Sequence, residues 1–148
     1  MTVIAWDGKT LAADRQSQCG DGIIAVTKIF RVANCLVGIT GDLTTGLEMK
    51  EWLRNTDPAL FRQEWRNPDA GAGMLVIYPD GTAWKYESSP TPFPLEGPFA
   101  AAGSGASHAL VAMDCGSTAR QAVLLVQRYI NSCGMGCDLL DLNGDPTS

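Results

Sequence analysis

The chain opens Met1-Thr2-Val3-Ile4-Ala5-Trp6-Asp7-Gly8-Lys9-Thr10-Leu11-Ala12-Ala13-Asp14-Arg15, and the rest of the molecule is read outward from this stretch. Apolar and β-branched residues flank an Asp-Gly pair, a pattern that predicts two short strands joined by a tight turn, with Thr2 heading the first. Trimming of Met1 would leave Thr2 with a hydroxyl and a free α-amine on one residue. A hydroxyl is a weak nucleophile until a base takes its proton, and the N-terminal amine, with an unperturbed pKa of about 7.7–8.0, can be that base near neutral pH.

Beyond this stretch, β-branched residues at 22–32 and 35–41 predict further strands, with the turn between them at Asn34. From Asp42 the period changes. Leu43, Leu47, Met49, Trp52 and Leu53 recur at helical spacing, and Thr45-x-x-Glu48 has the form of a capping box, so a helix is expected over about 43–54. Pro58 ends or restarts it, with a short helix over 58–65 and a loop to 73. A hairpin follows at 74–87 around Pro79-Asp80-Gly81, and 88–98, with four prolines, is expected to be an extended surface connection. The apolar residues 99–102 predict a buried strand. Helices are expected over about 106–114 and 118–132, the second opened by Thr118-x-x-Gln121 and showing Ala122, Leu125, Val126, Tyr129 and Ile130 on one face. The segment 137–142 is expected to be a final edge strand. Strands, a helical pair, more strands and a second helical pair fit two stacked sheets covered on both outer faces, in a single domain spanning 1–148.

The composition narrows the class. The chain has 148 residues, 45% hydrophobic and 18% charged, with a net charge of −5, which argues against nucleic acid or an anionic membrane as a partner. No stretch approaches the ~20 apolar residues of a spanning helix, and the N-terminus has no signal-peptide pattern, so the cytoplasm is the expected location. Five scattered cysteines (Cys19, Cys35, Cys115, Cys133, Cys137) and a single histidine, His108, offer neither a disulfide framework nor the four ligands of structural zinc. No metal or cofactor is expected.

Five pieces stand in order: Thr2 at the head of the first strand, Leu11-Ala12-Ala13-Asp14-Arg15, Thr27-Lys28-Ile29, Leu36-Val37-Gly38-Ile39-Thr40-Gly41-Asp42, and Ala101-Ala102-Gly103-Ser104-Gly105. In this the chain resembles the proteasome β-subunit family of N-terminal-nucleophile hydrolases, which includes the HslV-type peptidases and short proteasome-like proteins of phages and prophages. The resemblance implies an α+β fold, the four-layer αββα sandwich of two antiparallel sheets. It also implies a threonine-type endopeptidase or amidase acting on peptides or unfolded protein within a homo-oligomeric ring, and it allows an ATPase unfoldase as partner.

Residue by residue, the resemblance makes Thr2 the nucleophile and places the family's catalytic aspartate and lysine on Asp14 and Lys28. Taken alone, that pair reads as a surface salt bridge of little worth. Placed near Thr2, a cation would favour the alkoxide-like form of the hydroxyl. Gly41 is implied as an oxyanion donor and Ser104 as the serine that hydrogen-bonds the catalytic amine, although a turn glycine and a helix-entry serine are equally compatible with the pattern. Ile39 and Leu43 are implied as an apolar wall of the substrate pocket. The family's acid and hydroxyl before its last glycines are replaced here by Asn131-Ser132-Cys133, and Ser132 is the nearest substitute. Two other readings stay open: a proteasome-like assembly protein without hydrolysis, and an amidase acting on a small molecule.

Overall fold

The apolar runs on either side of Asp7-Gly8 do produce a hairpin, buried on both faces. In the computed structural model, which describes residues 2–144, β1 (Ile4–Trp6) pairs antiparallel with β2 (Thr10–Asp14), with Ala5 opposite Ala12. The Asp7 carboxylate closes the turn by accepting the Lys9 and Thr10 N–H groups. Two strands follow, β3 (Gln16–Cys19) and β4 (Gly22–Ala25), then β5 (Ile29–Val32) and β6 (Cys35–Thr40). Ala33 and Asn34 turn the chain between β5 and β6 with φ of 49° and 68°, the mirror-image turn that suits strand twist. After helix α1 (Leu43–Trp52) come β7 (Gly73–Ile77), β8 (Ala83–Tyr86), β9 (Phe93–Leu95) and β10 (Ala100–Ala102). Helices α2 (Ala106–Asp114) and α3 (Ala119–Tyr129) lead to β11 (Cys137–Asp141).

The described residues form three antiparallel sheets rather than the expected two. One has the order β10-β1-β2-β11, another β5-β6-β7-β8-β9, and β3 and β4 pair in a separate ribbon. The polar run Gln16-Ser17-Gln18-Cys19 carries no alternation that would mark a strand, and its pairing with β4 arises only once the ribbon forms. Likewise β9 lies within the proline-rich stretch read as a connection. Its Pro94 sits opposite Trp84 on the sheet's outermost strand, where a missing N–H costs no ladder bond on the open side.

Three buried clusters hold these layers together. Ile4, Trp6 and Leu11 of the four-stranded sheet meet Leu36, Leu75 and Ile77 of the five-stranded one. On the other face of the five-stranded sheet, Val37, Ile39 and Val76 pack against Met49 and Trp52 of α1. That cluster continues into aromatic edge contacts, Trp52 to Phe61 at 5.0 Å and Phe61 to Trp65 at 5.1 Å. Phe61 and Trp65 come from the segment expected as one short helix, which forms single 3-10 turns at Pro58–Leu60 and Gln63–Arg66, with a third turn, Pro68–Ala70, in the expected loop. The third cluster joins Val3, Ala5 and Ala12 to Met113, Val123 and Val126 of α2 and α3.

The helix ends sharpen two sequence expectations. Helix α3 has the expected capping box at Thr118 and Gln121. Helix α1 is capped instead by Asp42, whose carboxylate accepts the Thr45 N–H at 2.9 Å, while Glu48 pairs with Arg62. The buried stripe of α3 is Ala119, Ala122, Val123 and Val126. Leu125 and Tyr129, expected on that face, are 37% and 74% exposed. No helix among the described residues is long and apolar enough to cross a membrane.

Candidate active site

The ends of β1 and β2 lie side by side, so Thr2 and Asp14 arrive together from opposite ends of the first hairpin. The ladder is extended by the Asp14 N–H donating to the Val3 carbonyl at 3.1 Å. Lys28 stands just before β5, where its carbonyl accepts the Ile39 N–H at 2.9 Å. Its ammonium crosses to the other sheet. There Nζ donates to Asp14 Oδ1 at 2.9 Å and to Thr2 Oγ1 at 3.2 Å. All three residues are buried: Thr2 is 6% exposed, Lys28 4% and Asp14 0%.

A buried carboxylate is costly unless its oxygens are satisfied. Asp14 meets that condition with backbone donors as well as the lysine. Oδ1 accepts the Val3 N–H at 3.0 Å, and Oδ2 accepts the Gly134 N–H at 3.1 Å and the Gln16 N–H at 3.3 Å. The aspartate therefore ties the start of β1, the start of β3 and the loop after α3 to one point. It also aims Lys28 at the threonine.

Ser104 stands on the other side of Thr2. The Thr2 N–H donates to Ser104 Oγ at 3.3 Å, and the Ser104 hydroxyl in turn donates to the Thr2 carbonyl at 3.3 Å. The Gly105 N–H donates to the same carbonyl at 3.1 Å. Gly103 makes this approach feasible, since a Cβ there would stand 2.2 Å from the Thr2 carbonyl oxygen, with φ at +88°.

Four of the five expected residues are thus in hydrogen-bonding contact. Gly41 is the fifth, and no hydrogen bond joins it to the others among the described residues. It is exposed and lies two residues beyond Ile39, the residue paired with Lys28, so β6 carries it to the same end of the sheets. Its φ is +78°, and a Cβ would fall 1.4 Å from the Gly71 carbonyl oxygen, which admits only glycine. Its N–H takes part in no hydrogen bond among the described residues. Ile39, implied as a pocket wall, is instead 2% exposed and packed in the cluster under α1. Leu43 is half-buried against that cluster.

Two contributors were not legible in the chain. The Gly134 amide holds Asp14, and Cys133, not Ser132, is the buried residue before it, at 3% exposure. Burial, and secondarily the Asp14 charge, push the Cys133 thiol up, while Lys28 and the Ser104 and Ser132 hydroxyls act in the opposite direction. The thiol therefore stands within reach of three of the site's side chains, Asp14, Lys28 and Ser104. The departure of Asn131-Ser132-Cys133 from the family pattern was the available signal, but only the folded loop shows which residue turns inward. Among the described residues no group of three or more His, Cys, Asp or Glu side chains could hold a metal, and all five cysteines are free.

Chemically, the arrangement sets a cation against a threonine hydroxyl, anchors that cation on a carboxylate, and places a serine hydroxyl at the threonine nitrogen. No protein-family model matches the chain, and no curated protein matches it either. Solved structures do. Thiobacillus denitrificans BPH in complex with epoxomicin is 21% identical, with 96% of this chain and 99% of that chain covered at a TM-score of 0.72. Thiobacillus denitrificans BPH, also 21% identical, covers 95% and 97% at 0.68. HslV from Trypanosoma brucei is 18% identical over 95% and 97%, with a TM-score of 0.71. With near-complete coverage of both partners in each comparison, the chain has the HslV-like, proteasome-like fold.

Proposed function

We propose that this protein is a threonine-type peptidase or amidase in which Thr2, after loss of Met1, is the nucleophile. Met1 itself lies outside the described residues. The observation that carries the reading is the buried Thr2–Lys28–Asp14 contact, at 3.2 and 2.9 Å, with Ser104 Oγ 3.3 Å from the Thr2 nitrogen. A charged pair this deeply buried is expensive to maintain for stability alone. Its direct contact with a hydroxyl supports a catalytic use. The likeness to an HslV and to a protein solved with epoxomicin supports the same class.

In this reading the Thr2 hydroxyl proton passes to its own α-amine as Oγ1 attacks a peptide carbonyl carbon. Lys28 stabilises the developing negative charge on Oγ1, and the Gly41 N–H is the donor offered to the carbonyl oxygen. Collapse of the tetrahedral intermediate breaks the C–N bond, and the ammonium returns the proton to the leaving amine. Water, deprotonated by the same amine, then hydrolyses the ester on Thr2. Ser104 holds the amine in place for both transfers. The stacked order of the three buried clusters supports the four-layer αββα arrangement in one domain, and the fold supports assembly into a homo-oligomeric ring.

The test is the intact mass of the protein before and after exposure to a peptide epoxyketone, a reagent that needs both the hydroxyl and the free amine. Loss of Met1 and one adduct mapped to Thr2 are expected. Thr2→Ala should take no adduct and lose on the order of a thousandfold or more of peptide hydrolysis. Retained Met1 with no adduct would overturn the reading in favour of an assembly protein.

A further inference from the structure

A second lysine stands apart from this cluster. Lys85 lies on β8 opposite Leu75 of β7. Two residues before Leu75 is Gly73, paired with Thr40 at the end of β6. A Cβ on Gly73 would stand 3.1 Å from Thr40 Oγ1 and 3.6 Å from Lys85 Nζ. The missing side chain leaves a hydroxyl and an ammonium converging over bare backbone. They face a cleft of about 280 Å³ whose lining includes Thr40, Gly71, Gly73, Lys85 and Glu87.

This ammonium differs from that of Lys28 in having no ion pair within 4 Å among the described residues. Glu87 is the acidic group on the cleft wall and acts on it through space only. Burial pulls the Lys85 amine below its ordinary value, and the Glu87 charge opposes that pull. A cation that has left much of its water without gaining a partner in the chain is well placed to gain one from a ligand. The cleft also borders Gly41 through two of its lining residues, Thr40 and Gly71. Thr40 immediately precedes Gly41, and the Gly71 carbonyl that packs on Gly41 belongs to the cleft wall.

We infer that Lys85, with the Thr40 hydroxyl, forms a subsite for an acidic side chain of a bound peptide, beside Gly41. The inference rests on the peptidase reading for its choice of a peptide. The carboxylate accepts from the ammonium and from the threonine hydroxyl, while Glu87 disfavours ligands of higher negative charge. The chain would thereby prefer acidic over neutral residues at one position of the peptide.

The probes are capped tetrapeptides that differ only by Glu against Gln, with the substitution moved through each position. Binding to the full chain is measured by calorimetry. At one position the Glu peptide should bind roughly fivefold tighter. That preference should vanish in Lys85→Met, persist in Lys85→Arg and grow in Glu87→Gln. Equal binding at every position, no binding of either peptide, or a preference that survives Lys85→Met would overturn the subsite. Cleavage of the same peptides, followed by mass spectrometry, separates the two readings. A Lys85-dependent preference without cleavage defeats the hydrolase and keeps the subsite, and cleavage without any charge preference does the reverse.

Discussion

Two lysines, one in each of two neighbouring regions, mark the contrast within this molecule. Around Thr2, Lys28 is 4% exposed and its ammonium sits 2.9 Å from Asp14, itself held by three backbone N–H groups. At the end of β7 and β8, Lys85 is half-buried in an open cleft and meets no carboxylate within 4 Å among the described residues. The first region is closed and complete. The second offers a charge outward. The difference teaches where each can contribute: a fully satisfied buried network holds atoms in place, whereas a partly desolvated, unpaired cation is available to a ligand.

The strongest way to break this contrast is Asp14→Ala. It strips the buried Lys28 ammonium of its counter-charge and leaves the Val3, Gln16 and Gly134 N–H groups without an acceptor, so a loss of about 3–5 kcal/mol is expected. Urea unfolding of the wild type and variant measures it. Lys85→Met, measured alongside, should move stability by about 0.5 kcal/mol or less, since no buried partner is abandoned. Comparable losses in the two variants would mean that the regions do not differ as described.

Gly41→Ala comes next. With φ at +78° and the Gly71 carbonyl in the place of a Cβ, the backbone must shift at the junction of the two regions, at a cost on the order of 2–3 kcal/mol. Activity against neutral and acidic peptides should fall together. A stable variant that lost only the acidic preference would place Gly41 with the cleft rather than with Thr2.

The smallest effect concerns pH. Cys137 faces Asp14 across the β2–β11 ladder, and burial pushes its thiol up to about 11 from an ordinary 9.0. Between those values the unfolded chain has lost the proton and the folded chain keeps it, so stability falls as pH rises from about 9 through about 11. Cys133 and Cys35, also raised by burial, act in the same direction. Urea midpoints across that window should decline, and Cys137→Ala should flatten the slope without abolishing it. An unchanged slope would show that Cys137 titrates as an exposed thiol.

Much of the architecture could be read from residue patterns. The Asp-Gly turn, the β-branched runs, the capping box of α3 and the edge strand β11 were all legible because each is a local signal. What escaped was set by neighbours. Strand β3 has no apolar alternation and exists through its pairing with β4. Strand β9 contains a proline that only an edge position tolerates. The buried face of α3 is rotated from the expected one, because apolar residues stand on more than one face and only packing chose among them.

The candidate site divides in the same way. Thr2, Asp14, Lys28 and Ser104 could be named in advance from motifs, by resemblance to a known family. The chain by itself determined which chemical groups are present, where strands begin and end around them, and that Gly41 and Gly103 could bend as few other residues can. Tertiary structure alone decided that Thr2 meets a serine 102 positions away, that the Gly134 amide joins Lys28 in holding Asp14, and that Cys133 turns inward where Ser132 had been the nearest substitute. It also decided that Ile39 is a core residue and that Lys85 reaches over Gly73 into a cleft. The physical reason is one of range. Hydrogen-bonding capacity and local period are properties of neighbouring residues along the chain, but the satisfaction of a buried charge depends on which distant backbone groups the packed layers bring to it.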